Sequence, residues 1–161
     1  MPLLNPERAL RALRKTPVLL NSYIRELDPE RAMNLTDGPD GWNTLEIMGH
    51  LNDFETVFGD RIRRALAEDN PRFEKIDHEG LVIEHRYREQ DLQQVFAQYL
   101  EKRRALIDLL QTLTPEGWAR RGVHPEQGDC TVLEQAVNIA LHDVTHLEQM
   151  ARTLELSGGL L

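Results

Sequence analysis

The chain has 161 residues, 40% of them hydrophobic and 29% charged, with a formal net charge of −8. This length suits one domain over residues 1–161, with a core that needs neither a disulfide nor a structural metal. The acidic balance argues against a general nucleic-acid binder, which needs a positive face to neutralise phosphates.

The segment Met1-Pro2-Leu3-Leu4-Asn5-Pro6-Glu7-Arg8 has neither a basic leader region nor a long apolar run. No other stretch approaches the length needed to span a bilayer, so a cytoplasmic protein without a membrane partner is expected. Asn5-Pro6 reads as an N-cap followed by a first-turn proline, opening a helix to about Lys15. Thr16-Pro17 repeats that signal and starts a second piece to about Leu27. The two form one helical arm, kinked or broken at Pro17.

The segment from Asp28 to Trp42, rich in Pro, Gly and Asp, reads as a connection. Asn43 then starts a second helix, and Glu46 completes a capping-box pattern. The inward stripe of this helix is Ile47, His50, Leu51, Phe54, Val57, Phe58, Ile62, Ala65 and Leu66, so His50 falls on the buried side. Further along, Arg61, Arg63 and Arg64 precede Glu68 and Asp69 and read as a solvated face. Asn70-Pro71 stops the helix. Arg72 to Arg88 reads as the longest irregular stretch, with His78 and His85 as surface residues.

A third long helix runs from about Glu89 to Leu113, with Glu101, Lys102, Arg103 and Arg104 read as its outer face. Thr114-Pro115-Glu116-Gly117 opens a loop that contains Arg121-Gly122-Val123-His124-Pro125. Cys130, the single cysteine, excludes an intramolecular disulfide and reads as a small loop residue. The last helix starts after Thr131, an N-cap with Glu134 three residues on, and runs to about Leu156, where Gly158-Gly159 closes it. Its apolar stripe is Leu133, Val137, Ala140, Leu141, Val144, Leu147, Ala151 and Leu154. No strand series is evident, and these elements imply an all-α bundle around one core.

Chemistry concentrates in three histidines. His142 and His146 are four residues apart on the last helix, so their rings lie on one face about 6 Å apart along the axis. They belong to a polar strip with Asn138 and Gln149 that borders the apolar stripe and can point into the bundle or away from it. Together with His50 they offer three nitrogen ligands from two helices, leaving one coordination position open as in a catalytic metal site. The same residues also suit a buried core histidine beside an ordinary polar strip.

Trp42-Asn43-Thr44-Leu45-Glu46-Ile47-Met48-Gly49-His50-Leu51 resembles the Trp-Ser-x-x-Glu-Val-x-x-His-Leu motif of the DinB/YfiT-like metalloproteins, and Glu55 and Arg61-Ile62 continue the similarity. Arg121-Gly122-Val123-His124-Pro125, Gly128, Thr131-Val132-Leu133-Glu134 and His142-Asp143-x-x-His146-Leu147-x-Gln149 resemble the second half of that pattern. The resemblance spans roughly residues 16 to 152. It implies a four-helix bundle with up-down-down-up-like connectivity, a homodimer, and a divalent metal held by His50, His142 and His146. Asn43 replaces the commoner Ser and Gly49 the commoner Ala, without moving the histidines.

A three-imidazole site suits Zn²⁺, Ni²⁺ or another first-row divalent ion. Members of this family include transferases and an isomerase that use low-molecular-weight thiols such as bacillithiol or mycothiol, and others regarded as hydrolases. Thiol transfer to an electrophilic small molecule is the favoured expectation, because no general base stands at a fixed spacing from the ligands. Hydrolysis by a water on the metal, or a non-enzymatic stress-related binding module, are the alternatives. His124 is a candidate catalytic residue, as a substrate contact or proton donor, or else fixes the turn before Pro125. Asp143 projects about 100° from His142 and is expected to make an inter-helix contact. Arg121 is a candidate contact for an anionic substrate group.

Overall fold

A computed structural model describes residues 4–156; the Gly158-Gly159 helix stop lies outside them. Four long helices carry the fold: α1 (Pro6–Ile24), α3 (Thr44–Ala67), α5 (Leu92–Gln111) and α7 (Val132–Thr153). Short helices α2 (Pro29–Asn34), α4 (His78–Glu84) and α6 (Pro115–Ala119) lie in the connections, with a 3₁₀ turn at Tyr87–Glu89. Strands β1 (Arg121–His124) and β2 (Gly128–Thr131) form an antiparallel hairpin before α7.

Local chemistry sets the helix starts. The Asn5, Asp91 and Thr114 side chains each accept a backbone N–H of the following helix. Asn43/Glu46 and Thr131/Glu134 each form a complete capping box. Pro17 does not end α1, which is one helix from Pro6 to Ile24. A proline has no N–H to offer the carbonyl four residues back. Here that carbonyl, on Leu13, accepts instead from Arg103 Nη1 at 3.1 Å.

Two apolar clusters give the helix directions. Leu13 of α1, Phe58 and Ile62 of α3, Leu106 and Leu110 of α5, and Ala136 and Ile139 of α7 meet at one end. Leu20 and Ile24, Ile47 and Leu51, Val95 and Tyr99, and Leu147 and Met150 meet at the other. Between them α1 and α7 therefore run one way, α3 and α5 the other. Helices α1 and α3 each pack on both α5 and α7, so α1 and α3 stand at opposite corners. This is the up-down-down-up bundle expected. The parallel pair α3 and α5 needs a long crossover, which residues 68–91 supply.

A polar layer separates the two clusters. Arg103, read from sequence as an outer-face residue, is 1% exposed. Its Nε and Nη2 donate to Glu55, its Nη1 and Nη2 to Asp143, and its Nη1 to Leu13. All of the guanidinium donors are therefore matched by acceptors. Thr16 Oγ1 donates to Asp143 at 2.7 Å, and the Tyr99 ring lies 5.1 Å from the guanidinium carbon. Every long helix contributes a partner to this one side chain. Two carboxylates rather than one are needed here because a buried cation must be both paired and fully hydrogen-bonded.

The crossover is more ordered than an irregular loop. Phe73 N donates to Val123 O at 2.9 Å and Val123 N to Pro71 O at 2.8 Å, attaching the crossover to the hairpin. The Phe73 ring covers Gly122, where a Cβ would come within 2.4 Å of it. Helix α4 starts at Asp77, whose side chain accepts from Gly80 N. The buried Tyr87 ring then lies on Gly49, where a Cβ would approach it to 2.6 Å. Glycine at position 49 is thus the seat of an aromatic ring. Tyr87 Oη and His85 Nδ1 both reach Asp53 on α3, at 2.5 and 2.6 Å.

Replacing Arg103 by Met should cost about 3–5 kcal/mol, because it leaves two buried carboxylates and the Leu13 carbonyl without their donor. Exposed Arg104→Met should stay within about 0.5 kcal/mol of wild type. Urea unfolding compares the two, and equal midpoints would remove the structural role given to Arg103.

Candidate metal centre

His50 sits on the face of α3 turned towards α7, and His142 and His146 sit on the face of α7 turned back towards it. One nitrogen from each ring lies within 4.8 Å of the others. The closest approach is 3.0 Å, between Nε2 of His50 and Nε2 of His142. The polar strip on α7 therefore points inward. Asp143, one residue on from His142, turns into the core and holds Arg103. The inter-helix contact expected of Asp143 is present, and it fixes the rotation of α7 that presents the two histidines.

That rotation differs from the stripe read in the sequence. The buried residues of α7 are Val132, Gln135, Ala136, Ile139, Asp143, Leu147, Met150 and Thr153. Leu141 and Val144 are more than half exposed instead.

The surroundings keep the three rings neutral. His50 is 3% exposed. Burial, reinforced by repulsion from His146 and His142, pushes its pKa down to about 2. Burial and the neighbouring His146 push His142 down to about 3, and burial also lowers His146. Trp42 covers His50 and His146 on one side, and Phe54 stacks on His142 with ring centres 5.1 Å apart. His146 Nδ1 lies 2.8 Å from Gln149 Oε1, which accepts its N–H and leaves Nε2 as the free nitrogen. Gln149 is held in turn by Asp37, and Asp37 by Arg152. The Nδ1 atoms of His50 and His142 are buried without a partner among the described residues.

A cavity of about 330 Å³ opens beside His142. Phe54, Phe58, Ile76 and Leu141 give it apolar walls, and Arg61, Lys75, His78 and His124 give it polar ones. His78, expected at the surface, is exposed, yet it stacks on Phe54 at 5.0 Å and lies 5.7 Å from the His50 ring. His85 is away from the site, on Asp53.

His124 both lines the cavity and holds the hairpin turn. Its Nδ1 accepts from Glu126 N and Gln127 N at 3.2 and 3.3 Å, and its Nε2 lies 2.9 Å from Arg61 Nη1. Burial, then the charge of Arg61, lowers its pKa and holds it neutral.

Arg61 is not part of a solvated basic face. It is 8% exposed, at the cavity floor, with Nη2 donating to Glu74 O at 2.8 Å. Arg63 is exposed, and Arg64 pairs with Glu68 and Glu74. Arg121 is also turned away, paired with Asp129 at 2.7 Å. Glu46 is taken up by its capping box and by Arg88 at 3.0 Å. Cys130 is buried on β2 and burial raises its pKa, so the thiol is protonated and enclosed. The signal that could have found Arg61 is helical spacing. It stands eleven residues after His50, about 20° from the same face of α3.

The family model described as DinB superfamily matches residues 7–150. The chain belongs to the DinB superfamily. Among solved structures it is similar to YfiT from Bacillus subtilis, described as a probable metal-dependent hydrolase with an unusual four-helix bundle topology. The TM-score is 0.87 at 18% identity, over 98% of this chain and 90% of YfiT. A mycothiol-dependent maleylpyruvate isomerase aligns with a TM-score of 0.74 at 9% identity, over 91% of this chain and 61% of that one. At such identities the likeness is one of fold. No curated protein sequence matches the chain, and no helix among the described residues is long and apolar enough to cross a membrane.

The lowered histidine values carry a pH prediction for metal-free protein. Stability contributed by a neutral buried imidazole is complete above its ordinary pKa of about 6.5 and is lost as pH falls towards the folded value. Metal-free wild type should therefore lose melting temperature relative to His50→Leu between about pH 7 and about pH 4. A difference that stays constant over that range would show that His50 is not desolvated.

Proposed function

We propose that this protein holds one divalent transition-metal ion, Zn²⁺ or Ni²⁺, at His50, His142 and His146, and transfers a low-molecular-weight thiol to an electrophilic small molecule. The observation that carries the metal is the convergence of three neutral imidazole nitrogens within 4.8 Å at the edge of a cavity. A set of three nitrogen donors, with one side open to a cavity, fits such an ion. When bound, the ion supplies a positive charge that lowers the pKa of a thiol or water beside it.

The residues of the chain supply the rest. Burial keeps the three imidazoles unprotonated, and Gln149 fixes which nitrogen of His146 faces the site. Trp42, Phe54 and Phe58 restrict water around the rings. His124, neutral and beside Arg61, is placed for substrate contact. The lone carboxylate among the described cavity residues is Glu126, exposed and 3.8 Å from Lys75. Asp143 and Glu46 are occupied by structural partners. This scarcity of free carboxylates favours a thiol, which needs less help from a base than water does.

His78 supports hydrolysis as a second reading, because it sets an imidazole against Phe54 beside the three histidines. The exposed Leu4, Leu19, Leu141 and Val144 line one apolar groove between α1 and α7, which supports the homodimer that the family resemblance implies.

Untagged protein purified without chelator should contain about one divalent ion per chain by elemental analysis, and His142→Ala should lose it. Gln149→Leu should keep the fold but weaken metal binding about 10- to 100-fold. The loaded protein should then consume bacillithiol or mycothiol in the presence of an electrophile. Protein that is metal-free and takes up neither Zn²⁺ nor Ni²⁺ would sink this reading. Activity on esters or amides without thiol, abolished by His78→Ala, would establish the second.

A further inference from the structure

Arg61 is the one strongly buried cation among the described residues that has no carboxylate partner. Arg103, the comparable case, is matched by Glu55 and Asp143. Arg61 is 8% exposed; it has one contact to His124, one bond to the Glu74 carbonyl and the Phe73 ring 5.7 Å away, and the distant charges of Glu74 and Glu126 do not offset its burial. An unpaired cation removed from water is costly unless something of opposite charge reaches it.

A surplus of donors accompanies it. Arg61 Nη1, Glu126 N and Gln127 N all converge on the His124 ring. A neutral imidazole has a single lone pair for accepting, on one nitrogen or the other. It cannot accept at Nδ1 and at Nε2 together. Lys75 lines the same cavity but is paired with the exposed Glu126 at 3.8 Å, so the uncompensated cation is Arg61. Cationic and donor groups are thus in excess at this end, in a protein whose overall charge is −8.

We propose that Arg61 is the recognition site for a carboxylate on the substrate. The walls between it and the histidines are Phe54, Phe58, Ile76 and Leu141, which suit an apolar body. Eleven residues of α3 separate His50 from Arg61, a rise of about 16 Å along the helix axis. The substrate is therefore elongated and largely apolar, with its carboxylate at Arg61 and its reacting centre at the three histidines. This rests on the cavity being the active site, as proposed above.

Binding of hexanoate and its uncharged isostere hexanamide to metal-free protein tests the assignment without any contribution from an ion. Isothermal titration of wild type should favour hexanoate at least about tenfold, the lower range for a charge-assisted contact. Arg61→Gln should abolish the preference and Arg61→Lys should retain part of it. Helical circular dichroism and metal uptake should match wild type in both variants. If Arg61→Gln fails to fold, the guanidinium resonance of Arg61 in labelled wild type decides, by shifting with hexanoate and not with hexanamide. Equal affinity for the two compounds, or a preference that survives Arg61→Gln, would overturn the proposal. Loss of metal uptake by wild type would count against the metal centre alone and leave the carboxylate preference measurable.

Discussion

The bundle is organised around one buried guanidinium. Arg103 needs five acceptors, and it obtains them from α3, α7 and the backbone of α1. Hydrophobic contacts tolerate small rotations and slips of a helix, whereas charge-assisted bonds near 2.7–3.0 Å do not. The polar layer therefore sets the register of four helices whose apolar faces alone would leave it loose. Burial raises the pKa of the Glu55 carboxyl, opposed by its bonds to Arg103. In such a buried pair the cost of desolvation offsets much of the attraction, so removing one partner costs more than the intact pair contributes.

The histidine cluster inherits its geometry from that layer. Asp143 lies between His142 and His146 in sequence, and its two bonds to Arg103 fix the rotation of α7. On α3, Glu55 fixes the rotation that presents His50 one and a half turns earlier. Two carboxylates held by Arg103 thus place the three imidazoles of the cluster.

Local signals were legible in the sequence. The capping residues Asn43 and Thr131, each with a glutamate three residues on, mark where α3 and α7 start, because a capping box is complete within four residues. The histidine spacing and the flanking motif pointed to the three residues the structure brings together. Arg103 was not legible: it stands among Glu101, Lys102 and Arg104, and its partners are 48 and 40 residues away. The hairpin escaped notice because strands of four residues are too short to show alternation. Helix α4, seven residues with Gly80 inside, is too short to show a helical period. The stripe on α7 was misplaced because Leu141 and Val144 are apolar yet exposed, while the buried face contains Gln135, Asp143 and Thr153.

The parallel pairing of α1 with α7 has a consequence for synthesis. Thr16 and Asp143 are 127 residues apart, so the first long helix and the last meet only after everything between them has been made. Until α7 emerges, α1 has half its apolar seam uncovered, Glu55 is the sole counter-charge available to Arg103, and His50 has no imidazole opposite it. A chain that still lacks α7 therefore leaves exposed the apolar surface that α7 covers in the finished fold, and exposed surface of that kind promotes aggregation at high concentration. Completion of the polar layer and assembly of the histidine cluster are then a single late event, and the site forms only on chains that have closed.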